Sequence, residues 1–432
     1  RPTRPRTPSY RGIRMTTADD IFDEVDRNFE RLGLTEMPFT ESPTDPQLQN
    51  VFTGRTDKLR QTINLFKSRE RRRILVYGRI GIGKSAFLLQ VLSALGRKKK
   101  DMLTTYISLP ANLDLATTAL IALARAMPDD EWAQQQLYQM GIPTEMILKE
   151  RSSKVGGTFV FTGELSEKDL PLSKPQYPTV SLETLLERAL KKYPEGVMIA
   201  IDDLDKQDPS TVRKLMHDAQ GMLKGRAWFM VTGHPMGMTG DLLTSERGLF
   251  DLQLKLEELD QPTTYEMLIN YLNSVRINND ITDVNDPRSV LPFLPETAKR
   301  FCEVSLGKPR LFNRLGISVL STAADLQTDV ITQEILDKGL KAAARSLLLQ
   351  AALNVQEERV LALLLERGGL SDETILMADL EQLGVRTFGE LLIVLEKLEE
   401  ADLIHQLNQD DTKAFAPIPL PQAQTPLVKN DE

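Results

Sequence analysis

The stretch at residues 72–91 constrains the fold of this chain more than any other part of the sequence. It reads as a β-strand at 73–77, a glycine-rich loop at 78–85 and an apolar helix from 86 to 95. The loop, GRIGIGKS, matches the pattern G-x-x-x-x-G-K-[ST] in full. Its position between a strand and a helix is the setting that a phosphate-binding loop needs. The sequence therefore predicts a nucleotide site at this point of an α/β fold.

The residue types in the loop explain that prediction. Glycines allow backbone N–H groups to turn inward around phosphates, and the following helix adds the positive end of its dipole. We expect Lys84 to place its charge against the β- and γ-phosphates, and the Ser85 hydroxyl to bind Mg²⁺. ATP and Mg²⁺ are the expected cofactors. The predicted nucleotide-binding residues of the loop are Gly78, Gly81, Gly83, Lys84, Ser85 and Ala86.

Residues 197–203 predict the metal side of the same site. A continuous apolar run ends in Asp202 and Asp203, which is typical of a central parallel strand buried on both faces. Such a strand delivers its last side chains to the carboxyl edge of the sheet, where ligands bind in α/β folds. We expect Asp202 to hold Mg²⁺ through water and Asp203 to orient or deprotonate the attacking water.

Four further residues are candidates for contacts with the terminal phosphate. A predicted strand at 227–232 ends in Thr232 and is followed by His234, so either side chain could point at the γ-phosphate. A structural role in the loop is the alternative for His234. Arg247 suits a phosphate in a neighbouring subunit because its fork spans two oxygens, unless it is an ordinary surface arginine. Arg310 begins a helix and could reach back over the nucleotide, unless it is an ordinary helix-start arginine.

The whole-chain composition limits the class of protein. A length of 432 residues with 41% apolar residues predicts two or three domains with packed cores. The single cysteine, Cys302, excludes an internal disulfide framework and a Cys-rich zinc site. With no apolar run long enough to span a bilayer, we expect a soluble, cytoplasmic protein without a membrane partner. The net charge of −8 argues against indiscriminate binding to nucleic acid.

Two basic runs are nevertheless candidates for a contact with DNA or an acidic partner. One precedes the first strand and the other follows the helix that returns from it. A βα unit therefore places both at the end of the sheet opposite to the nucleotide; a solvated rim is the alternative. The predicted contact residues are Arg71, Arg72, Arg73, Lys98, Lys99 and Lys100.

The rest of the first 350 residues is predicted to include a mobile arm, an inserted segment and further helices. An arginine-rich mobile arm at 1–14 precedes a helix at 18–34. Residues 153–162 predict a strand or hairpin inserted at one rim of the sheet, either as a partner contact or as a surface excursion. A capping box at Thr263 and Glu266 predicts the start of a run of helices.

The order of elements after residue 356 predicts a winged helix. Three helices, at 357–367, 371–383 and 388–403, precede a hairpin at 404–418. The third helix is strongly acidic. Because phosphate contact needs the opposite charge, we expect this domain to dock a protein rather than to read DNA. The acidic residues are Glu390, Glu396, Glu399, Glu400 and Asp402.

Together these motifs resemble those of AAA+ ATPases, in the branch shared by origin-recognition initiators, transposon target-selection ATPases and STAND signalling NTPases. The resemblance covers roughly residues 45–420. It implies an α/β P-loop NTPase core with a parallel sheet, an α-helical lid and a C-terminal winged-helix domain. The implied domains are an N-terminal arm and helix at 1–45, the core at 46–258, the lid at 259–350, the winged helix at 351–420 and a flexible tail at 421–432.

The resemblance also implies roles for individual residues. Asp203 stands where fast AAA+ hydrolases carry glutamate, so slow hydrolysis is implied. The strand tip Gly-His-Pro departs from the asparagine that initiators favour, which leaves the sensor-1 residue open. The implied positions are Phe52 and Arg55 beside the adenine, Thr232 or His234 at sensor 1, Arg247 as the intersubunit arginine finger and Arg310 as sensor 2.

Three functional hypotheses follow from the sequence. The first is a slowly hydrolysing ATPase that acts as an oligomerising switch in a DNA-associated process, such as replication, transposition or defence against mobile elements. The second is a STAND-like signalling ATPase that recruits an effector protein through its winged helix without binding DNA. The third is a nucleotide-binding structural subunit without useful turnover. For the switch we expect a homo-oligomer formed through the nucleotide sites.

Overall fold

The fold is described by a computed structural model of the 432-residue chain. The described residues are 18–42, 51–67, 70–110, 112–142, 154–155, 158–159, 161–163, 171–173, 175–204, 207, 209–233, 249–278, 285–408 and 413–421.

Helices make up most of this structure. Among the described residues, no helix is long and apolar enough to cross a membrane. The helices are α1 Ala18–Arg31, α2 Thr56–Leu65, α3 Lys84–Lys98, α4 Leu115–Arg125, α5 Glu131–Gln139, α6 Pro178–Lys192, α7 Pro209–Asp218, α8 Gln220–Leu223, α9 Gln261–Ser274, α10 Pro295–Val304, α11 Pro309–Asp325, α12 Gln333–Ala351, α13 Val355–Arg367, α14 Met377–Gln382 and α15 Phe388–Glu400.

The core is built on a parallel sheet. The strands of the first 260 residues are β1 Arg73–Tyr77, β2 Met102–Ser108, β3 Lys154–Val155, β4 Thr158–Phe159, β5 Phe161–Gly163, β6 Gly196–Asp202, β7 Trp228–Gly233 and β8 Leu252–Lys255. Six of them form one sheet in the order β5-β2-β6-β7-β1-β8, and every pairing is parallel. β6 and β7 are buried along their whole length. The prediction of an α/β core with a parallel sheet is therefore confirmed.

Helices cover both faces of the sheet, which explains the continuous apolar strands. On one face α3 packs through Phe87 and Leu88 against residues such as Met230 of β7. On the other face α4 and α6 pack through residues such as Leu120 and Leu186. The glycine loop therefore leaves the sheet between two buried layers, at the carboxyl end of β1.

The inserted segment adds a strand to the sheet. β3 and β4 form an antiparallel hairpin, as the sequence predicted. β5 was not predicted: it pairs in parallel with β2, from Thr105 with Phe161 to Ile107 with Gly163, and forms one edge of the sheet. Only the distant strand β2 gives this three-residue segment its hydrogen-bond partners, so its local pattern carries little signal.

Helices α9–α12 lie in the region predicted to be the lid and are called the lid below; the first of them begins differently from the prediction. The helix starts at Gln261, and the Asp260 carboxylate accepts a hydrogen bond of 2.8 Å from the Thr263 N–H. Asp260 is therefore the N-cap, and the capping box predicted at Thr263 and Glu266 is wrong. Aspartate is a stronger cap than threonine, and Pro262 suits the first turn.

The chain before the core packs into this lid. Leu32, Leu34 and Phe39 are buried in the same hydrophobic cluster as α9 and α11. Leu34 also forms an antiparallel bridge with Arg276, and the Phe39 ring lies 5.4 Å from the ring of Phe312. The segment that follows α1 therefore shares the hydrophobic core of the lid.

After the lid, the chain forms a small α+β domain, the C-terminal domain. Its strands β9 Leu370–Ser371, β10 Ile404–Asn408 and β11 Lys413–Pro417 form an antiparallel sheet in the order β10-β11-β9. The element order α13-β9-α14-α15-β10-β11 includes the predicted hairpin and three helices, but the helix predicted at 371–383 spans only Met377–Gln382, and β9, which was not predicted, precedes it. The assignment to the winged-helix fold stays a prediction. The domain shares one hydrophobic cluster with the lid.

Candidate nucleotide site

The glycine loop is tied to the sheet and lies directly under the lid. The Gly78 N–H donates to the carbonyl of Gly233, at the end of β7, over 3.2 Å. Gly81 and Gly83 have φ values of +76° and +92°, in the left-handed region that favours glycine. A Cβ added at Gly81 would lie only 3.1 Å from the Cβ of Arg310. The backbone conformation and the close approach of the lid therefore both favour glycine at this position.

The first turn of α3 forms the positive side of the loop. Lys84 is only 6% exposed, and its Nζ donates to the carbonyls of Gly78 and Arg79, each at 2.9 Å. Its ammonium therefore lies within the loop. Ser85 and Ala86 follow in the same turn, where N–H groups lack intrahelical acceptors and the helix dipole favours an anion. This arrangement can hold a chain of phosphates.

Asp202 is held by three hydrogen-bond donors at the carboxyl end of β6. Its Oδ1 accepts from the Thr232 hydroxyl at 2.6 Å and from the Asp203 N–H at 2.9 Å. Its Oδ2 accepts from the Tyr106 hydroxyl at 2.6 Å. Asp202 is 1% exposed, and a buried carboxylate needs hydrogen-bond donors to offset its loss of water. Burial and the Asp202 charge raise the pKa of Tyr106 far above its ordinary value, so the hydroxyl remains a donor.

Asp203 follows in an unusual backbone conformation. Its φ is +64°, which costs an L-residue about 1–2 kcal/mol but is tolerated better by aspartate than by most side chains. Residues in such conformations cluster at functional sites. The structure thus places both predicted carboxylates at the carboxyl edge of the sheet, with Thr232 in contact with Asp202.

The lid touches the glycine loop through Arg310. Its backbone N–H donates to the Gly81 carbonyl at 3.1 Å. Its guanidinium, however, points at the C-terminal domain, where Nε donates to Asp402 Oδ2 at 2.9 Å and Nη2 donates to the Glu400 carbonyl at 2.7 Å. Arg314 shares the same Asp402 oxygen at 3.0 Å. The predicted sensor-2 arginine therefore lies at the loop, paired with a carboxylate.

The C-terminal domain also reaches the loop itself. Arg79, inside the glycine loop, donates to the backbone carbonyl of Gln406 at 3.1 Å and to its side-chain oxygen at 3.0 Å. It also lies 3.6 Å from a Glu399 oxygen. Lys308, 1% exposed, pairs with the same Glu399 oxygen at 3.3 Å. Some of the acids that predicted a docking surface thus bind loop and lid cations of the same chain.

The segment predicted to lie beside the adenine is anchored to the loop. Arg55 donates to the Ile82 carbonyl at 3.3 Å and to the carbonyl of Glu257. Burial lowers the pKa of Arg55, against the effect of nearby carboxylates. The Phe52 ring lies 6.4 Å from that of Phe87 on α3. Both residues are therefore next to the loop, while their contact with adenine stays a prediction.

The two basic runs meet at one residue. Arg71 Nη1 donates to the carbonyl of Glu195 at 3.4 Å, and the Lys99 ammonium lies 4.0 Å from the Glu195 carboxylate. Since Glu195 immediately precedes β6, this contact is at the amino end of the strands. The structure therefore places both runs at the end of the sheet opposite to the glycine loop, as predicted.

Part of this basic surface is neutralised within the chain. Arg72 and Arg73 both bind the carboxylate of Asp251, at 3.1 Å and 2.9 Å. The hydrogen bonds from the two arginines lower the pKa of Asp251, although burial opposes the shift. Lys98 and Lys100 are exposed. The surface available to an anion is therefore smaller than the six predicted residues suggest.

Two predicted site residues, His234 and Arg247, lie outside the described residues, as does the arm at 1–14. Their roles stay predictions. Conversely, the sequence did not indicate Tyr106, Arg79 or Gln406. For Tyr106 a weak signal exists, because it lies two residues before the end of a strand that neighbours β6. No local pattern marks the other two.

The site suits ATP and Mg²⁺ on the chemistry of its side chains. The loop offers backbone N–H groups and a buried ammonium to phosphates, and the Ser85 hydroxyl and Asp202 carboxylate are the oxygen donors that Mg²⁺ prefers. In the described parts of the chain, no group of three or more His, Cys, Asp or Glu could hold a metal ion. Mg²⁺ here would take its remaining ligands from phosphate and water.

Fold and site together define a P-loop nucleotide-binding protein, since the strand, loop and helix match the motif in structure as well as in sequence. Residues 51–220 match the family described as the AAA ATPase domain. These residues form a P-loop ATPase domain of the AAA type, and ATP hydrolysis is the activity of this domain. Its branch within the AAA+ proteins stays a prediction. No curated protein matches the chain significantly.

Similar solved structures include two archaeal proteins named Orc1 and Cdc6. The Orc1 protein of Aeropyrum pernix in complex with DNA is 13% identical, with 87% of this chain and 92% of that chain covered and a TM-score of 0.49. Cdc6p of Pyrobaculum aerophilum is 14% identical, with coverages of 91% and 94% and a TM-score of 0.43. A Walker-type ATPase of Pyrococcus abyssi is 14% identical, with coverages of 84% and 93% and a TM-score of 0.47. At these values the similarities identify no function for this chain.

Proposed function

We propose that this protein is an ATP-controlled switch in which the terminal phosphate and the C-terminal domain compete for the same arginine. The observation that carries the proposal is the position of Arg310. Its backbone is bonded to Gly81 in the glycine loop at 3.1 Å, while its guanidinium is bonded to Asp402 at 2.9 Å. A guanidinium binds carboxylate and phosphate through the same donors, so binding one weakens its hold on the other.

Arg79 supports the proposal from inside the loop. It binds Gln406 and lies near Glu399, so the C-terminal domain contacts the loop by a second, independent route. A nucleotide that changes the position of the loop backbone also changes these contacts. Both links connect the site to the same domain, which makes the docked position of that domain sensitive to the ligand.

The free energy of one bond to Arg310 is large enough to shift the balance between the two states of the switch. A charge-assisted hydrogen bond contributes about 1.5–3 kcal/mol, and a tenfold change in an equilibrium takes about 1.4 kcal/mol. Asp402 Oδ1 is buried and has no hydrogen-bond partner among the described residues. Arg314 binds the other acceptor position of Oδ2, so Asp402 keeps a cationic partner when Arg310 turns to a phosphate. Exchange of Asp402 for a γ-phosphate is therefore enough to change the dominant state.

The rest of the proposal follows from this exchange. In the ATP state the C-terminal domain is released, and Arg247 contacts the nucleotide of a neighbour in a homo-oligomer. Glu399 and Asp402 then become accessible to a protein partner. Hydrolysis is slow because the shorter side chain of Asp203 replaces glutamate. These features favour a signalling switch with a protein partner, the second hypothesis from the sequence.

Light scattering coupled to size exclusion tests the switch. The protein is compared with ADP and with a slowly hydrolysed ATP analogue, and the Lys84→Ala variant is the control that lacks the phosphate contact. We expect a larger particle with the analogue only, and no change in the variant. A monomer under both conditions, with nucleotide binding verified, would contradict the proposal.

DNA binding is a second candidate function, favoured by the exposed Lys98 and Lys100 on either side of Lys99. Its test is salt-dependent binding of duplex DNA in the presence of ATP. A variant with Lys98→Ala and Lys100→Ala leaves the arginines that bind Asp251 intact, so the fold is preserved. The matched control changes Lys338 and Lys341, on α12 of the lid, to alanine. Equal DNA binding by both variants would exclude these lysines as the contact.

A further inference from the structure

Tyr106 reaches Asp202 from the neighbouring strand. In the pairing of β2 with β6, Tyr106 lies opposite Ala200, and Ser108 lies opposite Asp202. The tyrosine backbone is thus two residues, about 6.6 Å along the strand, short of the carboxylate that it contacts. A tyrosine side chain spans this diagonal, and its hydroxyl donates to Oδ2 at 2.6 Å. A phenyl ring would fill the same space without the hydrogen bond.

The two oxygens of Asp202 are held from opposite sides. Thr232 on β7 binds Oδ1, and Tyr106 on β2 binds Oδ2. All three residues are at most 3% exposed, so water does not compete with these bonds. Donors on both oxygens restrict rotation of the carboxylate. Because Oδ1 also accepts from the Asp203 N–H, Oδ2 keeps the remaining acceptor site, which a water bound to a metal ion can use.

We propose that Tyr106 is a positioning residue, whose hydroxyl orients the Asp202 carboxylate toward the Mg²⁺ that accompanies the nucleotide. The inference rests on the proposed nucleotide site. Outer partners that orient metal-binding side chains typically change metal affinity or activity by about 10–100-fold. A tyrosine that only filled space would not change the dependence of nucleotide binding on Mg²⁺.

The test measures binding without turnover. Affinity for a fluorescent ADP analogue is determined in EDTA and over a series of Mg²⁺ concentrations, for the wild type and for Tyr106→Phe. We expect the two proteins to bind the analogue equally in EDTA. For Tyr106→Phe, the Mg²⁺ concentration that gives half of the maximal gain in affinity should be about tenfold higher than for the wild type. The control is Thr104→Val on the same strand. Thr104 is 1% exposed, and its hydroxyl has no hydrogen-bond partner within the described residues, so the Mg²⁺ dependence should be unchanged.

Each other outcome is decisive. An unchanged Mg²⁺ dependence in Tyr106→Phe, or an equal loss of affinity with and without Mg²⁺, would overturn the positioning role. A wild type that does not bind the ADP analogue at all would instead refute the nucleotide site.

In Tyr106→Phe the buried Asp202 carboxylate loses one of its hydrogen-bond donors, which could prevent folding. In that case Asp202→Asn is added, because it removes the buried charge. The Mg²⁺ dependence of this double variant should equal that of Asp202→Asn alone, because the tyrosine acts through the carboxylate. A further loss in the double variant would contradict this.

Discussion

Arg310 and Asp402 join the lid, the glycine loop and the C-terminal domain at one point. The Nε–Oδ2 distance is 2.9 Å, and Asp402 is only 1% exposed. Asp402 has a φ of +56°, a conformation that aspartate and asparagine adopt more readily than other non-glycine residues. Asp402 is thus buried, while Arg310 contacts the nucleotide loop, so this pair is the most direct place to test the proposed switch.

Replacing Asp402 by asparagine should favour the ATP state. Asparagine keeps the backbone conformation and the volume while removing the charge that holds Arg310 and Arg314. We expect the concentration of ATP analogue needed for half-maximal assembly to fall about 5- to 10-fold, which is at the low end of typical coupling between sites. Light scattering over a nucleotide titration measures the change.

The control for this variant is Asp379→Asn. Asp379 binds both terminal nitrogens of Arg367 within the C-terminal domain, at 2.7 Å and 2.6 Å, and does not contact Arg310. Loss of this carboxylate should destabilise the domain, but it should not lower the concentration of ATP analogue needed for half-maximal assembly, here called the assembly midpoint. Equal midpoints in both variants would mean that general weakening of the domain, rather than release of Arg310, controls assembly.

Lys84→Ala and Asp203→Asn should separate binding from hydrolysis. Loss of the loop ammonium removes charge-assisted bonds to phosphate and should weaken ATP binding about 100-fold. Asparagine at 203 keeps the shape of the side chain but cannot accept a proton, so hydrolysis should fall by about 100-fold or more with binding unchanged. Calorimetry and phosphate release measure the two effects. Equal ATP affinity of Lys84→Ala and wild type would refute the site.

Two glycines in the left-handed region should respond differently to alanine. At Gly33, with φ +75°, an added Cβ meets nothing within 4 Å, so Gly33→Ala should cost about 1–2 kcal/mol of unfolding free energy. At Gly307, with φ +65°, an added Cβ would lie 2.0 Å from the Leu259 carbonyl oxygen. Gly307→Ala should therefore cost about 3 kcal/mol or more. Denaturant unfolding compares them; similar losses would argue against the close packing at the start of the lid.

His405 should make stability sensitive to mild acid. Burial, together with the positive charges of Lys308 and Arg79, lowers the pKa of His405 from its ordinary 6.5, although Glu399 and Glu258 oppose the shift. The unfolded chain therefore binds the proton more readily, so stability is highest above about pH 6.5 and falls as the pH drops below it. Thermal unfolding between about pH 7.5 and 5.5 should show a smaller decrease for His405→Gln than for the wild type.

Carboxylates are the main alternative source of acid sensitivity, but they titrate below this pH range. Carboxylates with a lowered pKa, such as Asp251, lose their charge only below the range of the histidine. A decrease of the same size in His405→Gln would therefore assign the pH effect to other groups.

The local pattern of the sequence was sufficient for the nucleotide loop and the acidic strand. Their signals come from residues close together in the chain: glycines at fixed spacing before Lys84, and an apolar run that ends at Asp202. The physical demands are local too, because phosphate binding uses the backbone of one loop and a buried parallel strand is apolar throughout. For the same reason the parallel sheet of the α/β core could be predicted.

The partners of these residues were decided only by the tertiary structure. Asp402 is 92 positions from Arg310, and Tyr106 is 96 positions from Asp202, so no spacing in the sequence relates them. The acids at 390–402 suggested a surface for another protein, yet Glu399 and Asp402 pair with cations of the same chain. Charge patterns show that a partner is needed, whereas only packing of the lid and C-terminal domain against the loop determines which partner it is.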